Sequence, residues 1–192
     1  MCDACSEKIT THSFKVKVLP ENSENEFTVV SPFLYDTNVK QAILAFKFNN
    51  REDYATPFAN AIFNTVIKYY PDTTFDVVTS TPLHKSRLKE RGYNQAELLA
   101  KVLAKKLGIK YKRLIVKVKN SLIQHELDYE KRKTNVIGVY KANNETHIKN
   151  KRILLCDDII TSGNTMNECA KVLKYAGARD IVCAAIAVAR KI

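Results

Sequence analysis

The chain is short of several things, and each shortage narrows what it can be. Tryptophan is absent, although the apolar fraction of 45% is ordinary for a soluble protein. No apolar run is long enough for a bilayer: the longest, Ile181 to Ala189, is about half of what a spanning helix needs. The N-terminus, Met1-Cys2-Asp3-Ala4-Cys5-Ser6-Glu7, carries neither a basic nor an apolar leader region, so a cytoplasmic protein with no membrane insertion is expected. There is no G-x-x-x-x-G-K-[ST] loop, and hence no support for an ATP-driven motor. Repeats and low-complexity tracts are missing too. Zinc usually takes four ligands, often as two C-x-x-C pairs, but only Cys2 and Cys5 form one, and no fourth partner joins them and His12. A zinc site is therefore not expected. Cys156, Cys169 and Cys183 sit inside apolar patterns and read as buried thiols rather than a disulfide framework.

Acidic residues are the other shortage. The formal net charge is +11, which points to a polyanionic substrate or partner. From Leu98 to His125 there is no carboxylate, while Lys101, Lys105, Lys106, Lys110, Lys112, Arg113, Lys117 and Lys119 are all cationic, with Tyr111 among them. Such a block can bind nucleic acid phosphates and stack a base on its tyrosine, or it can be a solvated basic face.

Where acids do appear together, they stand in a telling context. Ile153-Leu154-Leu155-Cys156 reads as a buried strand, Asp157-Asp158 stand at its end, and Thr161-Ser162-Gly163-Asn164-Thr165 form a hydroxyl-rich turn. Met166, Cys169, Val172, Leu173 and Ala176 then recur at helical spacing up to Gly177, and Thr165 with Glu168 has the form of a capping box. A turn leading into a helix N-terminus offers N–H groups and a favourable dipole to an anion. Gly163 admits a close approach or a positive φ. Asp157 and Asp158 suit a sugar diol or Mg2+. Phosphate on one side and diol on the other describe a ribose 5-phosphate. Paired aspartates at a strand end also bind Mg2+ in receiver domains and phosphohydrolases, but there they follow an early strand.

Along the rest of the chain, strands and helices alternate, which predicts a parallel α/β sheet. Strands are expected at 14–19, 27–33, 75–80, 114–118, 137–140 and 181–189. Helices are expected after a cap at Asp36 or Thr37, after Thr56-Pro57, and after Asn94, where Glu97 completes a cap and Gly108 stops the helix. Residues 84–93 read as a basic loop after the strand ending at Ser80, and 121–135 as a polar segment without period. Two domains are drawn: an N-terminal segment, 1–35, and a main domain, 36–192.

The acidic strand–turn–helix resembles the signature of type I phosphoribosyltransferases, which bind 5-phosphoribosyl pyrophosphate (PRPP). The run Pro82-Leu83-His84, Arg87, Arg91-Gly92-Tyr93-Asn94-Gln95 resembles the ComF (ComF/GntX) family within that fold, as do Phe46-Lys47-Phe48 upstream and Gln124, Leu127, Arg132, Asn135, Val136 and Gly138 downstream. The resemblance covers roughly residues 30 to 190. It implies a twisted, mainly parallel sheet flanked by helices, with a small N-terminal hood. It implies that Thr161, Ser162, Gly163, Asn164 and Thr165 bind the 5-phosphate, and that Asp157 and Asp158 hold the ribose diol. Arg87, Arg91 and Lys85 would meet the pyrophosphate, Mg2+ would accompany it, and 121–135 with Arg132 would form a lid. It also implies natural transformation, with handling of single-stranded DNA and contact with DNA-uptake or helicase machinery; the charge pattern of 98–125 makes Lys105, Lys106, Lys110, Lys112 and Arg113 the candidate nucleic-acid contacts. Typical members carry two C-x-x-C pairs, and here one is missing. Whether the chain turns PRPP over as a phosphoribosyltransferase or only binds it, and which acceptor it would use, stays open, because the same fold also serves regulators.

Overall fold

A computed structural model of the chain describes residues 13–20, 23, 26–49, 51–118 and 139–189. Cys2, Cys5, Arg132 and the 121–135 segment lie outside them. Nine strands and five α-helices are described: β1 (Phe14–Val18), β2 (Phe27–Ser31), β3 (Phe33–Leu34), α1 (Thr37–Phe48), α2 (Ala55–Tyr69), β4 (Val77–Ser80), α3 (Lys85–Arg91), α4 (Gln95–Leu107), β5 (Lys110–Tyr111), β6 (Ile115–Lys117), β7 (Tyr140–Ala142), β8 (Arg152–Ile160), α5 (Asn164–Tyr175) and β9 (Asp180–Val188).

The main sheet runs β1-β2-β9-β8-β4-β5, with β3 also on β9. Every pair in it is parallel except the edge pair β1–β2. β1 and β2, from the segment read as N-terminal, thus hydrogen-bond into the same sheet as the rest. The expected α/β architecture is present.

Alternation along the central strands explains the layers. On β8, Leu154 and Cys156 pack with α1, α2 and α4 around Phe46, Phe58, Ile62 and Leu103, while Ile153 and Leu155 pack against Met166, Cys169 and Leu173 of α5. β9 repeats the pattern, with Val182, Ala184 and Ile186 on one side and Cys183 and Ala185 on the other. Strands buried on both faces need continuous apolar sequence, and that is why these two read as unbroken runs. β1, at an edge, alternates exposed lysines with half-buried valines. β6 and β7 form a separate antiparallel pair. Among the described residues, no helix is long and apolar enough to cross a membrane.

Several expected boundaries move, each for a local reason. Asp36 is the cap of α1, its carboxylate accepting from Val39 N–H at 2.9 Å. α2 does not start from a Thr56 cap: a 3-10 turn, Glu52–Tyr54, runs straight into it, leaving Pro57 in the first turn, where its missing N–H costs nothing. The basic loop 84–93 is largely a helix, α3, because Lys85-Ser86-Arg87-Leu88-Lys89-Glu90-Arg91 consists mostly of good helix formers between a His84 cap and Gly92 in the left-handed region. β5 has no counterpart among the expected strands, and the strand expected at 137–140 is described at Tyr140–Ala142.

Candidate functional site

The sheet creates an opening where β4 stops before its neighbour does. β4 pairs with β8 as far as Ser80 opposite Cys156, and Thr81 N–H makes a last bond to the Cys156 carbonyl at 2.9 Å. β8 continues along β9 to Ile160. Asp157 and Asp158 therefore lie inside the strand rather than at its end, at the first positions where one flank of β8 is unpaired. A cavity of about 280 Å3 occupies that notch, outside the carboxyl ends of two parallel strands.

One wall is the turn after β8. It does not form the expected capping box: the cap of α5 is Gly163, and Glu168 instead pairs with Lys171 at 3.0 Å. The chain passes Gly163 at φ +76°, so the helix starts at Asn164, before Thr165 could serve as a cap. Gly163 has no side chain with which to cap α5, and the first-turn N–H groups, which lack intrahelical acceptors, border the cavity with Thr161, Ser162 and Thr165. The Asn164 amide oxygen there is buried without a hydrogen-bond partner among the described residues. Behind the turn, a Cβ on Gly163 would lie 2.7 Å from Val18 Cγ1 and 3.2 Å from Phe27 Cε1, so the β1–β2 hairpin braces it.

The floor is acidic. Asp157 is nearly buried, and its Oδ1 accepts the Asp158 N–H at 2.8 Å. Burial, and then the adjacent Asp158, push the Asp157 carboxyl up to about 7, against hydrogen bonding with Thr81 and the charge of Lys47. The Lys47 ammonium, from the last turn of α1, lies 2.8 Å from Asp158 Oδ2.

The opposite wall is α3. Because 84–93 is helical, Arg87 and Arg91, four apart, share a face toward the cavity, whereas Lys85 and Leu88 line an adjoining cavity of about 220 Å3. The Arg91 guanidinium carbon lies over the Phe48 ring, 4.9 Å from its centroid, its Nη1 reaches Gln95 Oε1 at a long 3.5 Å, and its Nε is buried without a hydrogen-bond partner among the described residues.

The run Arg91-Gly92-Tyr93-Asn94-Gln95 acquires a physical meaning residue by residue. Gly92 ends α3 at φ +79°. Tyr93 hydroxyl donates to the Phe46 carbonyl and Gln95 amide to that of Lys47, two acceptors that the C-terminus of α1 leaves open. Asn94 caps α4 by accepting from Ala96 N–H, while its own amide donates to the Thr81 carbonyl at 3.0 Å. The run therefore ties α1, the exit of β4 and α4 together around the notch. Glu97 is not a capping partner. It accepts two bonds from Arg113, at 3.0 and 2.8 Å, and pairs with Lys101. Burial alone would raise the Glu97 carboxyl, but those hydrogen bonds outweigh it and hold it below the usual carboxylate range.

Two further wall residues are ones to which the sequence assigns no role at this site: Tyr140, and Lys117, which it groups with the basic block. Lys117 of β6 and Tyr140 of β7 border the cavity, with the Lys117 ammonium 5.5 Å from the Tyr140 ring centroid. Burial, reinforced by Arg87, lowers the Lys117 ammonium. Burial, with Cys169 adding to it, raises the Tyr140 hydroxyl against hydrogen bonding with Thr165. Nothing in Ile115-Val116-Lys117 marks that lysine out locally. Lys47, Arg87, Arg91 and Lys117 thus face two carboxylates across the notch, and the excess is positive.

Lys117 apart, the described cations of the basic block do not line this cavity. Lys105 and Lys106 end α4 and Lys110 begins β5, on the sheet edge beside the start of β4. Lys106 lies over the Phe63 ring, Lys112 donates to His147 Nε2 at 2.8 Å, and Arg113 is committed to Glu97 while bordering the adjoining cavity. Tyr111 bonds Ser80 and lines that same cavity.

The model of the phosphoribosyl transferase domain matches residues 93–191. Competence protein F of Haemophilus influenzae is 35% identical over 108 residues, 55% of this chain and 47% of the relative. The DNA utilization protein YhgH of Salmonella typhi is 30% identical over 70% of this chain and 60% of the relative. Competence protein ComFC of Bacillus subtilis is 30% identical over 77% of this chain and 58% of the relative. The matches thus span about half to three-fifths of these relatives' lengths. Among solved structures, the glutamine PRPP amidotransferase of B. subtilis is similar at 19% identity and a TM-score of 0.49, over 74% of this chain and 30% of that one.

Proposed function

We propose a function from the premise that this chain belongs to the phosphoribosyl transferase domain family: the notch binds PRPP together with Mg2+, in the service of single-stranded DNA handling during DNA uptake. The observation that carries the PRPP reading is the juxtaposition in one cavity of an uncapped helix start, a buried acid pair and two arginines on a facing helix. PRPP asks for that order of groups: a phosphate, a diol and a pyrophosphate.

In this reading the N–H groups and hydroxyls of 161–165 hold the 5-phosphate, with Gly163 keeping the backbone close. Asp157 and Asp158 accept from the ribose hydroxyls. Arg87 and Arg91 bind pyrophosphate oxygens through their planar forks, and the Arg91 Nε, which has no hydrogen-bond partner among the described residues, is a further donor to an anion. The donor set fits Mg2+: two carboxylates and the unpartnered Asn164 amide oxygen are hard ligands, and this ion takes few protein ligands when substrate phosphates supply the others. When bound, it would supply positive charge to the pyrophosphate. Among the described residues, no three His, Cys, Asp or Glu side chains gather to hold a metal unaided, so the ion would arrive with its ligand. Arg132, within the proposed lid, would help exclude water from an activated ribose.

The link to DNA draws its support from the relatives, which are named as competence and DNA utilization proteins. The alternative is an active transferase moving ribose 5-phosphate from PRPP to an acceptor. Calorimetric titration with Mg2+ and PRPP tests the site: binding is expected in the wild type and lost in Asp157→Ala/Asp158→Ala, and equal binding by both proteins overturns the assignment. A screen of nucleobases and amines for pyrophosphate release separates turnover from binding alone.

A further inference from the structure

We propose that the terminal dipeptide of α1, Lys47-Phe48, is a positioning element for both halves of the site: Lys47 holds Asp158 toward the ribose diol, and Phe48 holds the Arg91 guanidinium toward the pyrophosphate. The inference rests on the PRPP reading and names the residues that orient its two ends.

Three observations carry it. First, the Lys47 ammonium touches Asp158 Oδ2 at 2.8 Å, with the two side chains only 17% and 14% exposed. The contact engages one carboxylate oxygen and leaves Oδ1 to meet a hydroxyl. Second, Phe48 is 56% exposed while its neighbour Phe46 is fully buried in the core. A phenyl ring left so far in water does little for the core, yet the Arg91 guanidinium carbon lies over it, 4.9 Å from the ring centroid. Third, the tip of α1 is held in place by the same segment that carries Arg91: Tyr93 and Gln95 donate to the carbonyls of Phe46 and Lys47, and Gln95 also meets Arg91.

Consecutive residues on a helix point about 100° apart. A helix end aimed at the notch can therefore send one side chain to each wall. Lys47 reaches the β8 side and Phe48 the α3 side, from one anchored point. Asp158 and Arg91 lie 67 residues apart in sequence, and this dipeptide couples their geometry.

The test uses the full chain and two fragments of PRPP, each titrated calorimetrically. Ribose 5-phosphate reports the phosphate and diol, and Mg2+-pyrophosphate reports the α3 wall. Lys47→Met is expected to weaken ribose 5-phosphate about tenfold and leave pyrophosphate within about twofold, with Lys47→Arg recovering most of the loss. Phe48→Ala is expected to weaken pyrophosphate about three- to fivefold and spare ribose 5-phosphate, with Phe48→Tyr restoring it. Both variants weakening both fragments alike, or neither changing either, overturns the proposal even if the wild type binds normally. A folded wild type that binds neither fragment overturns the PRPP reading, and this inference with it.

Discussion

Asp157 and Gly163 show how far a single residue in this site is constrained by its surroundings. The Asp157 carboxyl, raised mainly by burial to about 7, is ionised in the unfolded chain at pH values where the folded protein still holds the proton. Its contribution therefore leaves folding unopposed below about pH 4 and opposes it increasingly up to about pH 7, above which the penalty is complete. Asp157→Asn keeps an oxygen for the Asp158 N–H. It should raise the thermal midpoint above pH 7 and change it little near pH 4, which melting curves across that range check. Gly163 is constrained twice, by φ +76° and by Val18 Cγ1 at 2.7 Å from a Cβ position. Gly163→Ala should cost about 1–3 kcal/mol in chemical denaturation. Adding Val18→Ala should recover the steric part and leave the backbone part, so that the double mutant falls short of additivity.

At the scale of elements, α3 is the decisive piece. As a loop, 84–93 would present its cations at random; as a helix it turns Arg87 and Arg91 to the notch and Lys85 to the neighbouring cavity. Arg91→Lys keeps the charge but loses the planar fork and the stack on Phe48, so PRPP affinity should fall by about tenfold in titration. The anchoring of α1 is testable separately. Tyr93→Phe removes one donor to a helix C-terminal carbonyl, at a cost of about 1 kcal/mol, and amide exchange should quicken in the last turn of α1. The expected box at Thr165 and the cap at Thr56 both fail for one reason: each rests on residue type, and the incoming backbone path starts the helix earlier.

For the whole molecule, the net charge of +11 should make single-stranded DNA binding steeply salt-dependent. The cations are not equivalent. Lys105 and Lys110 are exposed, whereas Arg113 and Lys112 are engaged with Glu97 and His147. Reversing Lys105, Lys106 and Lys110 to glutamate should lower affinity and flatten the log–log salt slope in proportion to the phosphates that the edge no longer neutralises. Arg113→Ala should instead lower the denaturation midpoint, because it strips hydrogen bonds from a buried carboxylate. Unchanged affinity in the triple reversal would remove this edge from consideration.

The amino-acid sequence by itself determined the order of the local pieces, a buried strand, an acid pair, a glycine turn and a helix, because a short contiguous segment carries its own apolar pattern and turn residues; where the strand ends and the helix begins was set by the backbone path. It also determined the alternation that makes a parallel sheet, since apolar periodicity reports burial directly. Only the tertiary structure decided that Lys47, Lys117 and Tyr140 line the same notch as Asp157, that Phe48 lies against Arg91 beside it, and that the other described cations of the basic block do not line it. The physical reason is the crossover topology. Parallel strands bring their carboxyl ends together from distant parts of the chain, and the early stop of β4 beside β8 opens the notch, which no local pattern records.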